Sequence, residues 1–192
     1  MIISKHILTL VFFLTSFSIS FTSLAQQSYK MNGTTEFSVS GTSTLKDWTM
    51  ESHKGNGTAK ISVDNGRINS IEKLTVSMRG KSLESGTSGM DKNAYKALKA
   101  DQHPVIRFSL KEVIANRGNR IKIKGDLTVA GVTKSKTFDM NVNNSSNSLR
   151  FSGEFDVTFS EFNMTPPTAM WGTIKTGNEL TLSFDTQFKP IK

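Results

Sequence analysis

Residues 149–159 read L-R-F-S-G-E-F-D-V-T-F. Odd-numbered positions are apolar or glycine, and even-numbered positions are polar or charged. A period of two belongs to an extended strand, whose successive side chains point to opposite faces. This stretch therefore has one dry face, with Phe151, Phe155, Val157 and Phe159, and one wet face. The alternation recurs along the chain. Residues 36–41 carry Phe37 and Val39 on one side. Trp48, Met50 and Ser52 alternate with Thr49 and Glu51. Residues 58–63 offer Ala59, Ile61 and Val63, and residues 68–80 offer Leu74, Val76 and Met78. Ile106, Phe108 and Leu110 share a face in 105–114. In 120–130, Ile121, Ile123, Leu127 and Val129 oppose Arg120, Lys122, Lys124, Asp126 and Thr128. Residues 134–142 carry Phe138, Met140 and Val142; residues 179–188 carry Leu180, Leu182, Phe184 and Phe188.

About eight or nine strands follow from this reading. Asp64-Asn65-Gly66 is a hairpin signal, because Asn-Gly tolerates positive φ. Residues 143–147 read as a polar turn, and residues 86–89 as a flexible loop. The period changes once, at Met90, Ala94, Ala97 and Leu98. A short helix is expected over 91–100, ended before His103-Pro104 because proline disfavours helix in the residue preceding it. Short connections favour antiparallel neighbours, and pairing of the last strand with the first would remove the exposed edges. The expected fold is all-β, a closed antiparallel barrel of about eight strands with one short helix. An eight-stranded barrel has an interior able to hold one small ligand.

The first 25 residues stand apart. Lys5 and His6 make a short basic start, residues 7–21 are largely apolar, and Ser23-Leu24-Ala25 places small residues where a signal peptidase reads. We expect a secretory signal peptide over 1–25, cleaved near Ala25, and a periplasmic domain over 26–192. The apolar run is short of the ~20 residues that a membrane span needs. With no cysteine in the chain there is neither a disulfide nor a thiolate metal site. The formal net charge of +8 reads as a solvated basic surface, with transient contact with an anionic membrane surface as the sharper alternative. No aromatic-interleaved basic motif points to nucleic acid.

Catalysis and cofactor binding find little support in these residues. His53 lies in a polar turn and His103 precedes a proline, with no metal-ligand spacing between them. There is no G-x-S-x-G turn, and the carboxylates fall mostly on wet faces. Neither an enzyme nor a cofactor is expected. Parity along the strands assigns an inward set instead, offered as the lining of a ligand site: Phe37, Trp48, Val76, Met78, Phe108, Leu127, Val129, Phe138, Met140, Phe155, Leu182 and Phe184. Gly125, Gly153, Gly80 and Ala59, at expected inward positions, are expected to open room beside them. Thirteen Phe and eight Met in the chain supply an adaptable lining.

Several stretches taken together resemble the YceI-like, polyisoprenoid-binding family. Gly41-Thr42-Ser43-Thr44-Leu45-Lys46-Asp47-Trp48 resembles its first-strand motif. Residues 90–99, followed by His103-Pro104-Val105-Ile106-Arg107-Phe108, resemble its helix and the next strand. Gly125-Asp126-Leu127-Thr128-Val129-Ala130-Gly131-Val132-Thr133-Lys134 resembles its central hairpin, and residues 162–182, with Gly172 and Lys175-Thr176-Gly177, complete the order. Two features depart from the pattern. Lys46 stands at or near a position where much of the family has His, and the loop through Pro166-Pro167 and Met170-Trp171 belongs to one branch. The resemblance implies a lipocalin-like barrel, exported, with a long isoprenoid lipid as its ligand, and so makes the twelve residues of the inward set the lipid-binding ones. The function expected on that ground is a carrier or sequestering protein for an amphiphilic isoprenoid of polyprenyl phosphate or quinone type. A solid structural barrel associated with stress, or a small outer-membrane barrel, are the alternatives.

Overall fold

A computed structural model describes residues 26–145 and 147–191. The expected signal peptide lies outside the described residues. Eight strands form the ring: β1 (Gln27–Ser43), β3 (Asn56–Asp64), β4 (Arg67–Arg79), β5 (Val105–Asn116), β6 (Arg120–Val129), β7 (Val132–Ser145), β8 (Ser148–Thr158) and β10 (Ile174–Pro190). Short β2 (Trp48–Ser52) lies beside the second half of β1, and two-residue β9 (Thr168–Ala169) beside the start of β10. Every pairing is antiparallel, and β10 closes the ring on β1 from Tyr29↔Pro190 to Ser43↔Thr176. Among the described residues one α-helix, α1 (Ser88–Ala97), lies in the β4–β5 connection.

The wet and dry faces sort as the period of two requires. Lys122, Lys124, Arg150 and Glu154 are exposed, while Ile121, Ile123, Leu149 and Phe151 are buried. A barrel that crosses an outer membrane carries its apolar band outside and its polar residues inside. Here the apolar faces point inward and the charged faces outward, the reverse of that expectation. No helix among the described residues is long and apolar enough to cross a membrane.

The interior has two parts. At one end, the floor, Ile61, Ile121, Ile123, Met140, Leu149, Phe151 and Phe188 pack together with almost no solvent contact. Toward the other end, the mouth, Leu127, Val129, Val157, Phe159, Phe162, Met164 and Leu180 form a second cluster. The ring is incompletely laddered at two seams. β7 and β8 pair only from Asn141↔Ser152 to Ser145↔Ser148, so they part toward the mouth. The turn Ser160–Phe162 fills that gap with the fully buried Phe162, and Lys136 pairs with Glu161 at 3.0 Å beside it. β4 and β5 pair only from Thr75↔Ser109 to Arg79↔Val105, so they part toward the floor. There Asn116 Nδ2 donates to the Ile68 carbonyl at 2.8 Å.

Several boundaries differ from the sequence reading. β1 begins nine residues before the expected 36. Its first half hides because Tyr29 and Met31 are its inward apolar residues and Gly33, at φ 116°, interrupts the register before Thr35. The expected turn over 143–147 shrinks, because Asn143, Asn144 and Ser145 remain in β7 and pair with β8. The helix lies three residues earlier than expected, so Ser88 and Gly89 of the supposed flexible loop form its first turn. Lys99 ends it by entering the left-handed region at φ 50°, well before Pro104.

Candidate functional site

Between floor and mouth the barrel encloses a cavity of about 840 Å³. That lies toward the upper end of the roughly 300–1,000 Å³ usual for small-molecule sites. All twelve residues of the inward set lie on its wall. Leu127, Val129, Phe138 and Met140 are buried there. The other eight, Phe37, Trp48, Val76, Met78, Phe108, Phe155, Leu182 and Phe184, are half-buried although they point inward. Apart from Met78 they pack against the buried clusters on one side, and all eight border the cavity on the other. Phe138 is the hub of the aromatic wall. It stacks on Phe155 with ring centroids 4.2 Å apart and meets Phe108 and Phe184 at 5.4 and 5.9 Å. Leu74, Ile123, Phe151 and Phe188 seal the floor side.

The small residues do not open this room. A Cβ on Gly125 would run into the Phe108 ring and lie 2.7 Å from the Ser109 carbonyl oxygen. On Gly153 it would lie 2.9 Å from the Asp139 carbonyl oxygen and 3.0 Å from the Phe184 ring. Each glycine is thus a seat already taken by an aromatic ring. Trp48 sits over Gly41, Phe37 over Gly55 and Phe188 over Gly57 in the same way. Ala59 is buried in the floor cluster, and Gly80 is buried in a turn near Leu98 and Ala100. The void instead comes from the separation of the walls above the floor.

Sequence parity also carries Val39, Met50, Ile106, Val157 and Leu180, which join the wall outside the twelve. From α1 come Met90, Ala94 and Ala97, and from its C-terminal cap Leu98, the residues whose spacing marks the helix. Leu45, Leu83 and Met170 come from irregular connections, where no period announces an inward position. The helix is held over the cavity by two polar contacts. The Asp91 carboxylate accepts from Ser85 N at 2.8 Å and Ser85 Oγ at 2.7 Å, and the Tyr95 hydroxyl donates to the Leu83 carbonyl at 2.7 Å. Burial, with the nearby Asp91 and Glu84 carboxylates, pushes the Tyr95 phenol above its usual pKa, so it remains a donor.

Lys46 and Asp47 are the charged side chains on the wall among the described residues, and they are neighbours in the β1–β2 loop. Ser43 Oγ shapes that loop by accepting from Leu45 N and Lys46 N, at 3.2 and 3.1 Å, and donating to the Lys46 carbonyl at 2.7 Å. Leu45, Lys46, Asp47, Thr87, Gly89, Thr168 and Met170 both line the cavity and lie exposed, so they trace its rim. His53 is exposed beside Glu51, and His103 packs over Gly131 at the β6–β7 hairpin. Neither histidine reaches the wall. Among the described residues there is no cluster of three side chains able to hold a metal ion.

A family model described as "YceI-like domain" matches residues 15–188. No curated protein matches the chain. Among solved structures, BcnA of Burkholderia cenocepacia superposes with a TM-score of 0.67 at 17% identity, over 80% of this chain and 95% of that one. A polyisoprenoid-binding domain from Saccharophagus degradans, implicated in plant cell wall breakdown, gives 0.63 at 10% identity, over 86% and 99%. The YceI protein of Campylobacter jejuni gives 0.57 at 21% identity, over 72% and 85%. At these identities the likeness is one of fold.

Proposed function

The chain belongs to the YceI-like domain family, and from that premise we propose that it is an exported, periplasmic carrier or sequestering protein for an amphiphilic isoprenoid lipid. The tail lies in the barrel and the head group at the rim. The observation that carries this reading is the 840 Å³ void walled by half-buried Phe, Leu, Val and Met side chains. Each CH₂ group withdrawn from water contributes roughly 0.8 kcal/mol, so a long tail reaches useful affinity without a polar contact. The name of the Saccharophagus degradans domain supports the same ligand class for a shared fold. A stress-associated barrel with a solid core fits less well, because a solid interior would cover the eight inward residues left half-buried.

The rim bears on the head group. Lys46 and Asp47 are adjacent and of opposite sign, so together they offer a dipole rather than a net positive charge. That favours a quinone-type or singly charged head over a diphosphate. The reading requires binding and release, with no covalent step. The test is gentle purification followed by solvent extraction and mass spectrometry. An isoprenoid lipid in near-stoichiometric amount is expected. A lipid-free protein whose thermal midpoint is unmoved by added quinone or polyprenyl phosphate would overturn the proposal.

A further inference from the structure

Six large hydrophobic side chains are exposed among the described residues. The three most exposed, Trp171, Leu45 and Met170, at 102, 68 and 64%, come from two loops that are tied together. Thr44 N donates to the Lys175 carbonyl at 3.0 Å, Lys175 N donates to Thr44 Oγ1 at 3.1 Å, and Thr44 Oγ1 donates to the Thr173 carbonyl at 3.3 Å. Two of the three, Leu45 and Met170, also line the cavity. The apolar lining therefore continues out of the barrel and over its rim onto the surface.

The backbone at this point is unusual. Met170 and Trp171 both lie in the left-handed region, at φ 51° and 53°. Bulky residues rarely take that conformation, and two in succession carry strain. Their side chains recover little of it by packing, since both stand exposed. Exposed Lys46, in the β1–β2 loop, and exposed Lys175, at the start of β10, flank the tip; with Asp47 beside Lys46 they leave one net positive charge there, in a chain of formal charge +8. Tryptophan concentrates at membrane–water interfaces, where its ring meets both apolar and polar surroundings, and flanking lysines are attracted to anionic head groups.

We propose that Leu45, Met170 and Trp171 form an apolar tip that docks the mouth of the barrel onto a bilayer carrying anionic lipid. The inference deepens the lipid-carrier reading and rests on it. A tail that leaves the cavity at a docked rim passes into acyl chains without crossing water, and the continuity of lining and tip supplies that path. A docked rim also places Lys46 at head-group level, where a charged or polar ligand head is met from both sides.

The test uses the purified protein with vesicles of mixed phosphatidylcholine and phosphatidylglycerol, and with vesicles of phosphatidylcholine alone. Co-sedimentation with the anionic vesicles is expected, together with a blue shift of tryptophan emission and weakening by added salt. The L45S/M170S/W171A variant is expected to lose about tenfold or more in partitioning, because three apolar side chains no longer leave water. Its thermal midpoint is expected to be unchanged, since all three are exposed; co-extracted lipid is read by mass spectrometry from W171A alone, because Trp171 stands off the cavity wall that Leu45 and Met170 line, and there it is expected to be unchanged. Comparison with the triple variant removes any contribution from the rest of the chain. Equal partitioning of both proteins overturns the docking proposal while leaving the carrier reading standing. So does a concentration-dependent dimer in analytical ultracentrifugation that the triple variant abolishes, since the tip would then be covered by a second copy. Absence of co-extracted lipid from the parent protein and from W171A, with vesicle binding of the parent intact, overturns the carrier reading instead.

Discussion

The inward glycines of this barrel are explained by rings on neighbouring strands. Gly125 lies under Phe108, Gly153 under Phe184 and Gly41 under Trp48. Glycine weakens a strand and needs a reason to be there. Here the reason is a ring that occupies the position where a side chain would stand, which shields the bare backbone. Gly125→Ala is therefore expected to destabilise the protein by about 1–3 kcal/mol, as overpacking does, and to lower the thermal midpoint. Gly80→Ala serves as the contrast. Its new methyl would lie 3.5 Å from Leu98 and 3.7 Å from Ala100, in ordinary contact. It is expected to leave the midpoint unchanged or to stabilise by up to about 1 kcal/mol, through the less flexible unfolded chain. Which residues face inward was legible in the sequence, because parity is a local property. What fills the space above a glycine was not, because Phe108 reaches Gly125 only through the β5–β6 register. Gly153→Leu, attractive from the sequence as a way to fill the cavity, would instead drive a side chain against the Asp139 carbonyl.

Among the elements, the parted β7–β8 seam sets a dependence on pH. The hydrogen bond from Lys136 is the largest influence on Glu161, and with the Thr158 N–H it holds the carboxyl below the usual glutamate range despite partial burial. A carboxyl whose pKa is depressed on folding stabilises the fold fully above its unfolded value, about 4.3 for glutamate. That stabilisation is lost as pH falls through the lower folded value. Glu161 is about a third exposed, so solvent screening limits the pair to about 0.2–1 kcal/mol. Glu161→Gln is expected to lower the midpoint at neutral pH, with the difference from the parent shrinking below about pH 4. A difference that stays constant into acid would remove the ion pair from the account. A second expectation concerns α1, none of whose residues is fully buried. Tyr95→Phe removes the tie to the Leu83 carbonyl and is expected to cost about 0.5–1.5 kcal/mol. Amide exchange should quicken in α1 while the floor strands are unaffected. The helix itself was legible from Met90, Ala94, Ala97 and Leu98. Its end was not, because a left-handed lysine at 99 has no signature of its own. The β7–β8 seam was invisible from β8, where alternation continues unbroken past the end of the ladder; on β7 the alternation lapses at Lys134 and Lys136, beside the seam, but a lapse in one strand does not say which neighbour it has lost.

Taken whole, the molecule is a barrel with a packed floor and a hollow upper half. An apolar interior was readable from composition and period; a void was not, because it depends on distances between walls that no single strand determines. The void makes a direct prediction. Val39 and Leu182 are half-buried on its wall and are register partners across β1 and β10. Replacing both with Phe fills empty volume rather than occupied volume. Co-extracted lipid is expected to fall severalfold while the thermal midpoint holds or rises. A lower midpoint with lipid retained would mean that the space is not free to accept a ligand. The ring has a further consequence, which concerns time. Most of its neighbours follow one another along the chain, but β1 is joined to β10, so the first strand waits for the last. Until β10 arrives, β1 and β8 each keep an open edge and the floor lacks Phe188, the ring that covers Gly57. Contacts of such long sequence separation form slowly, and unpaired edges invite association in the interval. A chain still emerging from a ribosome therefore cannot close on itself until β10 has been delivered, and through that interval its open edges are exposed to other chains.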